Sequence, residues 1–127
     1  MSSSIVRAEN NDLICVDDDQ DILDFMKAVI ENSHHTVVTA GSAEQGLTSY
    51  KERKPDLVIV DLMMEEADSG VNFVKEIRAL GPTPPVYLMS SVGESLALIK
   101  DCSVLDLAGV LQKPIKSQTL LSILKPN

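Results

Sequence analysis

Five polar side chains stand where apolar runs of this chain end. Asp17 and Asp18 follow Leu13 to Val16 (LICV), and Asp61 follows Leu57 to Val60 in the stretch PDLVIVDLMM. Ser90 closes PVYLMS, and Lys113 follows the run from Gly109 to Gln112. Carboxylates brought together repel one another and call for a cation. An all-oxygen site suits Mg²⁺, a hard ion that keeps waters and takes one or two carboxylates plus phosphate oxygens. With a phosphoryl group held there, Asp61 can attack phosphorus and form an acyl phosphate. Lys113 would set a fixed positive charge against the equatorial oxygens, and Ser90 would donate a hydroxyl. Read singly, each residue has a plainer role: Asp61 as a cap or turn residue, Lys113 as a surface lysine. Five such residues at the ends of elements exceed what capping explains.

The elements must bring these five together. Leu57 to Val60 is a continuous apolar run between Pro55 and Asp61, the pattern of a strand buried on both faces of a parallel sheet. Leu13 to Val16, Thr36 to Thr39, Pro85 to Met89 and Gly109 to Gln112 supply four more strands. Ile22, Phe25, Met26, Val29 and Ile30 form an apolar stripe at helical spacing, ending near Asn32-Ser33. Asp19 and Asp21 suit the start of that helix. Ser42-Ala43-Glu44-Gln45 is a capping-box pattern that opens a second helix carried by Leu47 and Tyr50. Phe73, Val74, Ile77 and Leu80 give a third, capped by Asp68 or Ser69 and stopped by Gly81-Pro82. Ser95 to about Cys102 predicts a weaker fourth helix, and Ser117 to Leu124 a fifth. His34 and His35 are adjacent and read as surface residues rather than a metal pair. Strands alternating with helices predict an α/β, flavodoxin-like, doubly wound sheet of five parallel strands in the order 2-1-3-4-5. That order sets strands one and three side by side, so Asp17, Asp18 and Asp61 share one crevice, with Ser90 and Lys113 at the same edge.

Composition bounds what such a site can serve. The 127 residues are 44% hydrophobic and only 3% aromatic, which implies an aliphatic core. Residues 1–11 are polar and predict a flexible tail, and residues 12–127 then form one domain. The net charge of −8 opposes a nucleic-acid surface and suits a cation or a basic partner face. Two cysteines are too few for a disulfide framework, and Cys15 reads as a small core residue. No apolar run reaches a membrane span and no signal region opens the chain, which predicts a cytoplasmic protein with no membrane insertion.

From Leu13 to Leu124 the chain resembles the receiver domains of two-component response regulators. The matching motifs are ICVDDDQDIL, PDLVIVDLMM, PVYLMSS and QKPI, in that order and spacing. The resemblance implies Asp61 as phosphoacceptor, Asp17 and Asp18 as the acidic pair that holds Mg²⁺, and the Met63 backbone carbonyl as a further metal ligand. It implies Ser90 and Lys113 as the groups that follow the phosphoryl group, with Lys113 before a cis proline. Ser91 reads as a small spacer. The implied partners are a sensor histidine kinase or phosphotransfer protein and an unidentified downstream protein, with no direct nucleic-acid contact. A homodimer through the face of the fourth helix, fifth strand and fifth helix is a further expectation. The expected protein is a stand-alone regulator that takes one phosphoryl group without multiple turnover.

Three departures stand out. Glu65 replaces the family's proline four residues after the phosphoacceptor. The loop to Gly70 is one residue longer than usual, with Glu65, Glu66 and Asp68 adding negative charge. Val110 replaces the usual aromatic residue three positions before the lysine, so the family's aromatic switch cannot run in its standard form. Glu65, Ser91 and Val110 are therefore candidate modulators. Three other readings compete. A haloacid-dehalogenase-like phosphotransfer enzyme would use an Asp-x-Asp after strand one, which Gln20-Asp21 continues poorly. A receiver-like docking module would need no phosphorylation, against which the five polar residues argue. A flavodoxin is opposed by three acids after the first strand, which would repel a flavin phosphate.

Overall fold

The computed structural model describes residues 11–62, 64, 69–91 and 107–124. Within them five parallel strands form one sheet: β1 Asp12–Val16, β2 Thr36–Ala40, β3 Leu57–Asp61, β4 Val86–Ser90 and β5 Gly109–Gln112. Their order is β2-β1-β3-β4-β5, the expected one. Four helices are described: α1 Gln20–Asn32, α2 Ala43–Glu52, α3 Ser69–Ala79 and α4 Ser117–Leu124. The helix expected from Ser95 to Cys102 lies outside the described residues, as do Met63 and Glu65.

Strand alternation splits the core in two. Leu13, Cys15, Leu57, Ile59, Met89 and Leu111 join Leu23, Met26, Ile30, Leu120 and Leu124 of α1 and α4 on one face. Ile14, Val16, Val58, Val60, Val86 and Leu88 meet Tyr50, Phe73, Val74 and Ile77 of α2 and α3 on the other. The continuous apolar runs follow from this, since a strand covered on both faces has no solvent side.

The helices depart from expectation in detail. In α1 the buried residues are Leu23, Met26 and Ile30, while Phe25 is exposed and Ile22 and Val29 pack at the margin. The stripe was expected one notch round the helix. Asp19 caps α1 by accepting from the Asp21 N–H, as its type predicts. Ser42 caps α2 by accepting from the Gln45 N–H, but Gln45 Oε1 reaches back to the Gly41 N–H instead of closing on Ser42. Ser69 and Gly70 lie inside α3, so the preceding loop ends earlier than expected. Leu80 stands beyond the end of α3 and is exposed.

His34 and His35 form the C-terminal cap of α1. His34 takes the left-handed conformation at φ 69°. Its N–H donates to Glu31 O and the His35 N–H donates to Ile30 O, the paired bonds of a Schellman motif. His35 is consequently buried, correcting the surface reading, and its Nδ1 accepts from the Asn11 N–H at 2.9 Å. The Asn11 carbonyl in turn accepts from the Thr36 N–H. Among the described residues no helix is long and apolar enough to cross a membrane.

Candidate functional site

Register builds the site. Cys15 pairs with Ile59 and Val16 with Val60, so the next residues, Asp17 and Asp61, come level at the carboxyl ends of β1 and β3. Both continue the parity of the face shared with α1. Asp61 also pairs with Met89, and Met89 with Leu111; two residues on from Leu111 stands Lys113, on the same parity. The side chains meet accordingly. Lys113 Nζ lies 2.9 Å from Asp17 Oδ2 and 3.1 Å from Asp61 Oδ1. Carboxylate oxygens of Asp17, Asp18 and Asp61 all lie within 4.8 Å of one another.

Burial grades the three acids. Asp17 is fully buried, Asp61 is 2% exposed, and Asp18 faces solvent. Asp17 is fixed on both sides: its N–H donates to Ala40 O, and its Oδ1 accepts from the Asp19 N–H at 2.9 Å. Its Oδ2 has the Lys113 ammonium at ion-pair distance, yet no partner in hydrogen-bond geometry. A buried carboxylate oxygen compensated in charge but not in hydrogen bonding is an open ligand position. The three acids and one lysine leave two negative charges uncompensated among the four groups, which matches a divalent cation. Hard oxygen donors and one face toward water, with no nitrogen or sulfur ligand among the described residues, fit Mg²⁺.

Burial alone would lower the Lys113 pKa, but the close carboxylates of Asp17 and Asp61 outweigh it and raise the pKa above its ordinary value. The ammonium is therefore a permanent charge at neutral pH. Beneath the site, burial and then the Asp17 charge push the Cys15 thiol up to about 12, so this sulfur is an inert core atom.

Ser90 ends β4, buried, and its carbonyl accepts from the Lys113 N–H at 2.7 Å. That bond ties the strand-four end to the lysine directly. The Lys113–Pro114 peptide bond is cis, as the resemblance implied. Ser91 and Val110 are exposed, the latter on β5 beside Leu88. Thus Asp17, Asp18, Asp61 and Lys113 converge, Ser90 lies at the same sheet edge, and Met63 and Glu65 fall outside the described residues. One contact was not expected. Gly70 in α3 approaches the end of β3 closely: its N–H donates to Leu62 O at 3.2 Å. The only signal in sequence was a glycine just after Ser69.

A parallel sheet of order β2-β1-β3-β4-β5 with its crevice at the carboxyl ends of the strands defines the flavodoxin-like, doubly wound class. Within it, residues 13–125 match the family model for the response regulator receiver domain, and the chain belongs to that family. It is 37% identical over 83 residues to the transcriptional regulatory protein ZraR of Escherichia coli O157:H7, covering 65% of this chain and 19% of that one. It is 34% identical over 111 residues to the transcriptional regulatory protein GlrR of Escherichia coli K12, covering 85% of this chain and 24% of the relative. The chain thus spans about a fifth to a quarter of these relatives' length. The receiver domain of NtrX from Brucella abortus superimposes with a TM-score of 0.79 at 25% identity, over 87% of this chain and 92% of that one. A receiver domain protein from Clostridium thermocellum gives 0.78 at 29% identity, over 89% of each chain.

Proposed function

We propose that this chain accepts one phosphoryl group on Asp61 and thereby changes the surface it offers to a partner. The observation that carries the reading is the meeting of the Asp17, Asp18 and Asp61 carboxylates with the Lys113 ammonium on Asp61. Asp17, Asp18 and Asp61 would hold Mg²⁺, with the Met63 carbonyl as a ligand implied by the family resemblance. The ion supplies positive charge against the phosphoryl oxygens where negative charge builds in the transition state. A carboxylate oxygen of Asp61 forms the new bond to phosphorus. The donor's bond to phosphorus breaks, and its electron pair leaves with the donor nitrogen or oxygen. Lys113 keeps its charge against the phosphoryl oxygens, and the Ser90 hydroxyl donates to one of them from the end of β4.

The donors this reading implies are a sensor histidine kinase or a phosphotransfer protein, met by this chain in the cytoplasm. The recipient of the signal is a downstream protein, or a second copy, docking at β5 and α4, where Val110 and Leu121 are exposed. On this reading the chain is a phosphoacceptor and not a multiple-turnover enzyme. Incubation with a small-molecule phosphodonor and Mg²⁺ should incorporate one phosphoryl group per chain and then plateau. Steady hydrolysis of a generic phosphate ester would instead favour the haloacid-dehalogenase-like alternative.

A further inference from the structure

Gly70 is the second residue of α3, nine positions after Asp61. The helix start rests directly on the backbone that leaves β3, at Asp61 and Leu62. A Cβ added to Gly70 would fall well inside contact distance of the Asp61 carbonyl oxygen. It would also lie 2.8 Å from the Leu62 carbonyl oxygen and 2.9 Å from Leu62 Cα. Real Cβ atoms essentially never approach another heavy atom below 3.0 Å. The obstacle is backbone, which cannot swing aside as a flexible side chain can. Nor can the peptide retreat into the sheet, because the Leu62 N–H is bonded to Met89 O at 2.8 Å. A side chain at position 70 would have to lift the start of α3 or turn the Asp61–Leu62 peptide.

We propose that Gly70 is a positioning residue for the phosphoacceptor: its missing side chain lets α3 close on the Asp61–Leu62 peptide and hold Asp61 level with Asp17 and Asp18. This rests on the reading of Asp61 as a metal-binding phosphoacceptor. The Gly70 N–H bond to Leu62 O is the clamp, and the absent Cβ is what allows it to form. Mg²⁺ demands a near-ideal octahedron of oxygens, so a small displacement of one buried carboxylate weakens the whole set.

The test compares Gly70→Ala with the parent and with Gly109→Ala. A Cβ on Gly109 meets only the Tyr87 ring, at 3.1 Å, at the opposite end of the sheet. Mg²⁺ affinity is read by calorimetric titration, and phosphorylation by a small-molecule phosphodonor is followed across Mg²⁺ concentrations. Gly70→Ala should raise the Mg²⁺ dissociation constant about tenfold or more, as loss of a ligand-orienting contact does. The Mg²⁺ concentration for half-maximal labelling should rise in parallel, while Gly109→Ala leaves both unchanged. Melting supplies an independent sign. Alanine is the better helix former, so a glycine without this duty would melt higher when replaced, whereas Gly70→Ala should melt lower. Mg²⁺ affinity within twofold of the parent would overturn the inference, and so would failure to fold, which would make Gly70 a general packing residue. A parent that bound no Mg²⁺ and took no phosphoryl group would remove the underlying reading instead.

Discussion

Lys113 is the counter-charge on which the resting pocket depends. Its ammonium bridges two carboxylates that are 0% and 2% exposed, and Asp17 Oδ2 has no other compensation among the described residues. Removing one partner of a buried ion pair leaves an orphaned charge, which is strongly destabilising. Lys113→Ala should therefore lose about 3 kcal/mol in Mg²⁺-free buffer, the low end of that range because the pocket opens to water at Asp18. Mg²⁺ should restore much of the loss, since it supplies the missing charge. Denaturant titrations with and without Mg²⁺ would read both effects, and equal stability of variant and parent without Mg²⁺ would contradict them. Asp18 behaves oppositely. It is the exposed member of the trio, so Asp18→Ala relieves like-charge repulsion and leaves Mg²⁺-free stability unchanged or higher. The same variant should weaken Mg²⁺ binding about tenfold by removing a ligand, and unchanged affinity by calorimetry would count against Asp18 as a ligand.

At the scale of elements, the end of α1 combines strain with a titratable group. His34 holds φ 69°, where a non-glycine residue pays about 1–2 kcal/mol. Glycine escapes that strain but is more flexible when unfolded, so His34→Gly should gain about 0.5–1 kcal/mol and melt a few degrees higher. Next to it, burial and then the charge of His34 lower the His35 pKa below its ordinary value. The unfolded chain binds that proton more readily than the folded one. Stability from this group is thus present above the unfolded pKa and lost as the pH falls through the folded pKa. Protonation at Nδ1 would set N–H against the Asn11 N–H and break the 2.9 Å bond. His35→Gln should flatten this loss, so the melting curves of parent and variant converge as pH falls below about 6.5. Parallel curves from pH 8 to 5 would contradict the assignment. These features also show what sequence could not reveal. The buried strands were legible because a run covered on both faces carries no competing pattern. The face of α1 was not, because its apolar residues fit two rotations of the helix; contact with the sheet and α4 selects Leu23 over Phe25. His35 was misread because a Schellman cap is set by a left-handed dihedral, for which a histidine pair gives no signal.

For the whole molecule, strand order does most of the work. Placing β1 beside β3 turns two sequence-distant acids into one pocket, and β4 and β5 bring Ser90 and Lys113 to the same edge. That much was legible, because alternating strands and helices restrict topology and the polar residues sat at strand ends. Gly70 was not legible as a positioning residue, because the clash that defines its duty exists only after α3 has packed on β3. The family match extends over residues 13–125 and agrees with this geometry, while the relatives it includes are several times longer than the chain. The central claim is that the fold exists to make Asp61 a phosphoacceptor. It is tested most directly by phosphorylating the protein with a small-molecule phosphodonor and locating the label by peptide mass spectrometry. The account predicts one phosphoryl group on the peptide carrying Asp61, absent when Mg²⁺ is chelated and absent in Asp61→Asn. Equal labelling of Asp61→Asn, or labelling that persists without Mg²⁺, would contradict it.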